Sequence, residues 1–520
     1  MKIERTRNAA RSITVGMVLK IFQTVVPFLM RTAMIQFMGV EYLGLNSLFA
    51  SILHMLNLAE LGVGSAMVFS MYKPIAEDDT PRICALMRLY RRYYRLIGLV
   101  IGAVGLALTP FVPRLISGEL PPELNVYWLY LLNLAATVLT YWLFAYRNCL
   151  LQAHQRLDLA SKITLASTTV QYALQLLIMV YIKDYYLYVI VLLLSTAINN
   201  ILTAFVTKKQ FPQYRPEGEM SREDVAVING KIRDIFSGKI GYVVLQYADT
   251  IVISAFLGLT VLAVYQNYFF ILTAVIAFVD IVISSITAGI GNSFVTESRE
   301  KNYRDLLKFT FLFLWVTGMC TCCFLGMYQP FMEIWVGQEL MLGFGMVVCY
   351  ALYFFVYTFN RLVGAYKDAA GLWHQDRFRP LVTAMVNLGL NLLSVQFFGL
   401  YGVLLSTVIS MVCVGLPWQI YILFTSMFER KMLKGYLGMI GKHILLTAVS
   451  GAAVAAICLQ LQGNLWIVLL LCLLISVLIP NIVYLLVLHR DAQFRPAIQF
   501  LDRLSKKKLK LEQRLFREKK

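Results

Sequence analysis

Positive charge recurs along this chain in short clusters, and long apolar stretches fill the intervals between them. Of the 47 Lys and Arg residues, 43 lie at 1–11, 73–95, 147–162, 208–239, 299–308, 361–379, 430–442 and 490–520. The intervening turns carry only Arg114 and Lys183, while Lys20 and Arg31 sit inside an apolar run. Short loops on the cytoplasmic side of a bilayer collect Lys and Arg. The alternation therefore predicts an all-α polytopic membrane protein with about fourteen transmembrane helices and both termini cytoplasmic. Crossing the hydrocarbon layer takes roughly 20 apolar residues. The predicted spans are 12–38, 43–70, 93–116, 125–147, 159–182, 185–207, 235–258, 261–291, 307–329, 341–366, 380–398, 401–424, 443–462 and 465–489. A 59% hydrophobic content and a mean hydropathy of +0.67 exceed what a soluble core uses.

Composition and motifs exclude several classes. The +18 net charge is divided among loops at one membrane face, without the basic helix or aromatic-studded sheet of a nucleic-acid binder. The first span is too long for a cleavable signal peptide and lacks a small-residue cleavage site. Cys320, Cys322 and Cys323 have no His or carboxylate beside them in their helix, so they read as packing residues. No phosphate-binding G-x-x-x-x-G-K-[ST] loop, H-E-x-x-H motif or catalytic carboxylate pair occurs on an accessible loop. The expected protein moves a solute and breaks no covalent bond. No catalytic residue, metal ligand or cofactor is predicted.

The chain repeats itself at a spacing near 220 residues. Gly39 at the first outer turn is matched by Gly258 at the seventh, and His154-Gln155 by His374-Gln375. Leu193-Leu194-Ser195-Thr196-Ala197-Ile198 returns as Leu404-Leu405-Ser406-Thr407-Val408-Ile409. Each copy holds six spans and starts in the cytoplasm, so the copies run parallel, a plan in which transporters place substrate between halves. The expected organisation is a six-helix lobe at 1–207, a cytoplasmic linker at 208–234 and a second six-helix lobe at 235–428. A transmembrane hairpin at 429–489 and a basic amphipathic tail at 490–520 follow. In that tail Ile498, Leu501 and Leu504 recur at helical spacing beside Lys506, Lys507, Lys508 and Lys510, which suits anionic lipid.

An ionised group at the bilayer centre costs about 2.5–3.5 kcal/mol on insertion scales, so charges inside spans need a reason. Lys20 and Arg31 are about three helical turns apart on one face, with Thr24 and Pro27 between them. Pro27 removes a backbone donor and can bend the helix. Span seven offers Tyr242, Gln246 and Asp249, and aligning Gly39 with Gly258 sets Arg31 opposite Thr250. Two readings stand: a structural Arg31–Asp249 pair, or a cationic stripe that attracts an anionic head group while Asp249 holds Arg31 or binds a coupling cation.

Glu60, near the cytoplasmic end of span two, is either a packing acid paired with a loop base or a gating group. Asp280, followed by Ser284 and Thr287, forms a polar face for interhelical hydrogen bonds or a cation relay. His54 is a packing or a titrating histidine. Arg147 and Arg361 end spans four and ten as interfacial anchors, or as a collar that captures phosphate. The candidate substrate-binding residues are thus Arg31, Lys20, Arg147 and Arg361. Candidates for gating or ion coupling are Asp249, Glu60 and Asp280.

Arg7-Asn8, the Gly39-Val40-Glu41-Tyr42-Leu43-Gly44 turn, Glu60-Leu61-Gly62-Val63-Gly64-Ser65-Ala66, and Asn148 through Gln152 with Ala153 and Arg156 carry a family likeness. Over most of residues 1–430 the sequence resembles the bacterial polysaccharide transporters. These are the repeat-unit flippases of the multidrug/oligosaccharidyl-lipid/polysaccharide exporter superfamily. The resemblance implies a MATE-like fold, a cationic cavity between two lobes and a place in the bacterial cytoplasmic membrane. It also implies an undecaprenyl-diphosphate-linked oligosaccharide substrate, flipped to the outer leaflet by alternating access for capsule, exopolysaccharide or wall polymer. Membrane lipids and polysaccharide polymerase machinery are the implied partners. A lipid II flippase shares these features. A multidrug cation antiporter needs an acidic cavity, against which Lys20 and Arg31 count. A glycan polymerase needs large outer loops, and the longest here lie near 114–125 and 330–340.

Overall fold

The computed structural model of the chain describes residues 5–60, 62–118, 120 and 123–504. Its contacts divide the chain into two units, Met1–Gln266 and Asn267–Lys520. Among the described residues every regular element is helical.

The first unit opens with α1 (Arg5–Phe37), which continues through Pro27. Gly39, at φ 126°, turns the chain into α2 (Val40–Leu56), a conformation that a Cβ would strain. A 310 turn at Asn57–Glu60 and a left-handed Gly62 interrupt span two before α3 (Val63–Ala76). Asp79 caps α4 (Thr80–Leu108) by accepting from the Arg82 N–H, and a 310 turn carrying Pro113 ends it at Leu115. Asn125 caps α5 (Val126–Trp142); the chain then bends by 45° into α6 (Asn148–Ala153). A wider turn at Ile178–Ile182 closes α7 (Leu157–Leu177), and Asp184 caps α8 (Tyr185–Gln210). Ser221 caps α9 (Arg222–Leu257), which leads through Gly258 into α10 (Leu259–Thr296).

The second unit continues with α10, then α11 (Arg299–Val336), α12 (Phe344–Ala369) and the short α13 (Trp373–Asp376). The helix α14 (Arg379–Ser410) breaks at Gly399, with φ 55° and ψ −131°, and passes through a wide turn into α15 (Leu416–Ser426). It ends with α16 (Arg430–Cys458), α17 (Leu465–Leu488) and α18 (Phe494–Leu504).

Among the described residues, 11 helices are long and apolar enough to cross a membrane, or 12 if the bent α5–α6 pair is one span. The 54-residue run Trp373–Ser426 turns at Gly399, and α2 continues into α3, in rough agreement with the predicted fourteen. Leu393, Phe397, Phe398 and Leu486 are among many large apolar side chains left exposed, as lipid contact requires. The described residues form a multi-pass helical membrane protein.

The interior is packed through small residues, because lipid tails give helices no hydrophobic reason to associate. Gly318 lies against Tyr484 and Thr447, and Gly451 against Leu325 and Cys322. Cys322 packs with Val454, Cys458, Val468 and Cys472, which seats the α16–α17 hairpin on α11.

Three features depart from the sequence reading. The residue-234/235 boundary falls inside α9, which runs unbroken from Arg222 and packs with the first unit, where Gly62 meets Ile232 and Ile235. The linker itself lies along α4: Arg88 donates to the Gly218 carbonyl at 3.0 Å, and Arg82 pairs with Asp224 at 2.9 Å. The apolar face of the tail, expected on lipid, is covered by protein instead. Phe494, Ala497 and Ile498 are buried, Phe494 against Trp315, and Phe500 meets Phe309. Lys506, Lys507, Lys508 and Lys510 lie outside the described residues.

At the His154 and His374 loops both copies bury an ion pair, with the order of charges reversed. Arg156 Nε donates to Asp158 Oδ1 at 3.0 Å in the first unit. In the second, Asp376 accepts from Lys367 Nζ at 2.7 Å and from Arg379 Nε at 2.6 Å. Each pair fixes the start of the next helix, because a buried carboxylate left alone is costly.

Candidate functional site

Span two breaks where its one carboxylate sits. After Leu56 the helix tightens into the 310 turn Asn57–Glu60, and Gly62 at φ 94° restarts it as α3. Irregular backbone at membrane depth is tolerated only where protein or a wet cavity satisfies it. Here the Glu60 carboxylate accepts from Tyr94 Oη at 2.6 Å and from Tyr141 Oη at 2.8 Å. Tyr90 in turn donates to Tyr94 Oη at 2.6 Å. The three rings pack on one another, Tyr90 to Tyr94 at 4.3 Å and Tyr94 to Tyr141 edge-on at 5.4 Å. Neutral phenols thus hold the acid.

These groups open on a cavity of about 390 Å³ inside the first unit. Asn148, Gln152, Thr164, Asn199, Asn200 and Thr203 add polar groups to its lining. Asn200 Nδ2 donates to the Thr140 carbonyl at 3.0 Å, and Asn199 Oδ1 accepts from Ser167 at 3.0 Å. Asn148 Oδ1 is buried with no hydrogen-bond partner among the described residues. A buried acceptor in that condition suits a cation, a proton donor or water. Span four is broken here too: Phe144 takes φ 59°, and the 310 turn Ala145–Arg147 brings Asn148 to the wall. Two broken helices and one acid therefore face the same polar chamber.

The remaining predicted residues are spread more widely. Lys20 is exposed on α1, where the Thr24 hydroxyl donates to its carbonyl at 3.0 Å. Arg31 is half-buried with Tyr188 as a neighbour, whereas Asp249 is buried with Tyr265 beside it. His54 is exposed and stacks on Tyr247 at 4.9 Å. Arg147 is half-buried, with its guanidinium 5.9 Å from the Tyr146 ring. In the second unit Arg361 Nε donates to Asp280 Oδ1 at 2.9 Å. Those two residues carry different predicted roles, and the structure makes them one ion pair.

The repeat explains that pair. Asp280 lies 220 residues after Glu60, and Arg361 lies 220 after Tyr141, the same spacing as His154 to His374. In each copy the first residue is a carboxylate and the second donates to it. By this register the counterpart of Arg361 is Tyr141, where the sequence reading paired it with Arg147. Tyr90, Tyr94 and Tyr141 were not among the predicted site residues. The 220-residue offset, applied to Asp280 and Arg361, points to Tyr141. Nothing in the spacing points to Tyr94.

No protein-family model matches the sequence, and no curated protein matches it. The fold does match solved structures. The lipid II flippase MurJ in an inward closed conformation is similar with a TM-score of 0.69 and 14% identity, over 92% of this chain and 99% of that one. MATE in its bent conformation is similar with a TM-score of 0.51 and 14% identity, covering 85% of this chain and 97% of its own. A point mutant of MATE gives 0.51 and 15%, over 80% and 94%. At such identities the likeness establishes the architecture: the expected MATE-like helical fold is the one observed.

Proposed function

We propose that the chain is a flippase that carries a polyprenyl-diphosphate-linked oligosaccharide from the inner to the outer leaflet of a bacterial cytoplasmic membrane. The observation that carries this reading is the pairing of a MurJ-like fold, matched over 92% of the chain, with cations inside its apolar spans. A diphosphate and its sugars cannot cross hydrocarbon, whereas a prenyl tail can stay in lipid. Lys20, Arg31 and Arg361 supply the charge that a phosphate ester needs, and Arg adds a planar fork for paired hydrogen bonds. Arg147 stands near the inner mouth. Glu60, in its polar chamber at two broken helices, is the coupling acid, and Asp249 serves as a second gating group. Helix breaks beside an intramembrane acid are where transporters place ion sites.

Lipid II is the second reading. It presents the same diphosphate chemistry, and the solved flippase with TM-score 0.69 bears that substrate in its name. The multidrug cation reading fits the cations in span one poorly.

Complementation separates these. Expression in a strain lacking its oligosaccharide flippase should clear the lipid-linked oligosaccharide that accumulates inside. Rescue of a strain depleted of its lipid II flippase would favour the second reading. Charge reversal at Arg31 (Arg31→Glu) should abolish rescue while the protein still inserts; normal rescue by that variant removes Arg31 from the mechanism.

A further inference from the structure

We propose that the Asp280–Arg361 pair is an anion-exchange site, in which a phosphate ester takes the place of the Asp280 carboxylate on the Arg361 guanidinium. The proposal rests on the reading of the chain as a carrier of a lipid-linked diphosphate, and it names where the second unit receives that group.

Exposure is the first support. Asp280 and Arg361 lie within the long apolar helices α10 and α12, yet their side chains are 36% and 46% exposed. An ion pair that open is costly against hydrocarbon, which favours a water-lined setting for it. Ser284 and Ser285, one turn on from Asp280, are exposed as well, and their hydroxyls donate to Ile281 and Val282 carbonyls of their own helix. Of the two, Ser284 lies four residues after Asp280 on the same helix face and adds a polar side chain there.

The repeat is the second support. In the equivalent place of the first unit the carboxylate of Glu60 accepts, among the described residues, from the phenols of Tyr94 and Tyr141. Anchoring an acid at this position therefore does not require a guanidinium. Replacing a neutral donor by Arg361 adds a permanent charge to a span, which is expensive unless the charge has a use. Paired, it is neutralised; with the carboxylate displaced, its fork can grip a phosphate.

The third support is the ease of exchange. A half-exposed pair in contact with water contributes little stability, so its partner is replaceable. A diphosphate offers the guanidinium several acceptor oxygens and more charge than one carboxylate, and charge-assisted bonds to Arg are the stronger kind. Asp280 then acts as a placeholder that keeps Arg361 neutral and oriented between cargoes.

The test uses full-length protein in nanodiscs and calorimetric titration with farnesyl diphosphate, with inorganic pyrophosphate as a second probe. Asp280→Asn removes the competitor and should tighten binding roughly three- to tenfold. Arg361→Gln should weaken it about tenfold or more, with Arg361→Lys between the two. Pyrophosphate that displaces farnesyl diphosphate in the wild type, but not in Arg361→Gln, supports recognition of the diphosphate itself. An unchanged or weaker affinity in Asp280→Asn, in protein that unfolds at the wild-type temperature, overturns the proposal. So does wild-type affinity in Arg361→Gln. The flippase reading fails separately: if the wild type rescues no flippase-deficient strain while Asp280→Asn still tightens binding, the site stands and the cargo is another phosphate ester.

Discussion

Glu60 and Asp280 occupy equivalent places in the repeat, yet a phenol meets the first and a guanidinium the second. That single difference sets what each acid can exchange. A carboxylate held by neutral donors can take up a proton or cation without leaving a bare charge behind. One held by arginine exchanges only against another anion. Asp376 shows the opposite extreme, since it is 3% exposed and grips Lys367 and Arg379 together. Removing one partner of a buried pair strands the other and costs about 3–5 kcal/mol. Asp376→Ala should accordingly lower the thermal unfolding temperature in detergent by several degrees. Replacing Lys367 and Asp376 together by Met and Leu should recover part of that loss. Unfolding of Asp376→Ala at the wild-type temperature would show the pair to be ornamental.

Elements were legible in the sequence to the degree that the bilayer dictates them. Apolar length located the spans in rough agreement with the observed helices, and Gly39 and Gly258 marked equivalent turns, with φ 126° and 91°. The breaks in spans two and four left no such mark, because hydropathy averages across a 310 turn and Glu60 and Phe144 each occupy one position. The fate of α18 was hidden too. An amphipathic helix looks the same whether lipid or protein covers it, and here Trp315 and Phe309 of α11 supply the cover. The loop that leads into α18 is tied to α16 by Asp491, which accepts from the Gln493 N–H at 3.1 Å and from Lys442 at 3.0 Å. Burial pushes this carboxyl up, but those two donors outweigh it and hold it below the usual range. A depressed carboxylate stabilises the fold above its unfolded value and loses that contribution as pH falls through the folded one. Amide exchange across residues 494–503 should therefore stay slow at neutral pH and accelerate only at pH below the usual carboxylate range. Equal protection at neutral and strongly acidic pH would remove Asp491 from the docking.

For the whole molecule, the proposed function needs a driving force that would make transport run outward. An inside-negative potential favours expelling an anionic head group, by roughly 2.3 kcal/mol for each charge moved through 100 mV. Glu60 adds a second contribution if its chamber returns a cation inward as the cargo leaves, because that movement is downhill in the same field. One returned charge is then worth about fiftyfold in the outer-to-inner cargo ratio at 100 mV. In reconstituted vesicles with a clamped potassium potential, the logarithm of that ratio should rise linearly with voltage. Glu60→Gln keeps an acceptor and a donor for Tyr94 and Tyr141, so the fold should survive. The slope should drop by one charge and lose its dependence on the proton or sodium gradient. A slope identical to wild type would mean that the acid beside the broken helix carries no coupled ion, and that the membrane potential acts on the cargo alone.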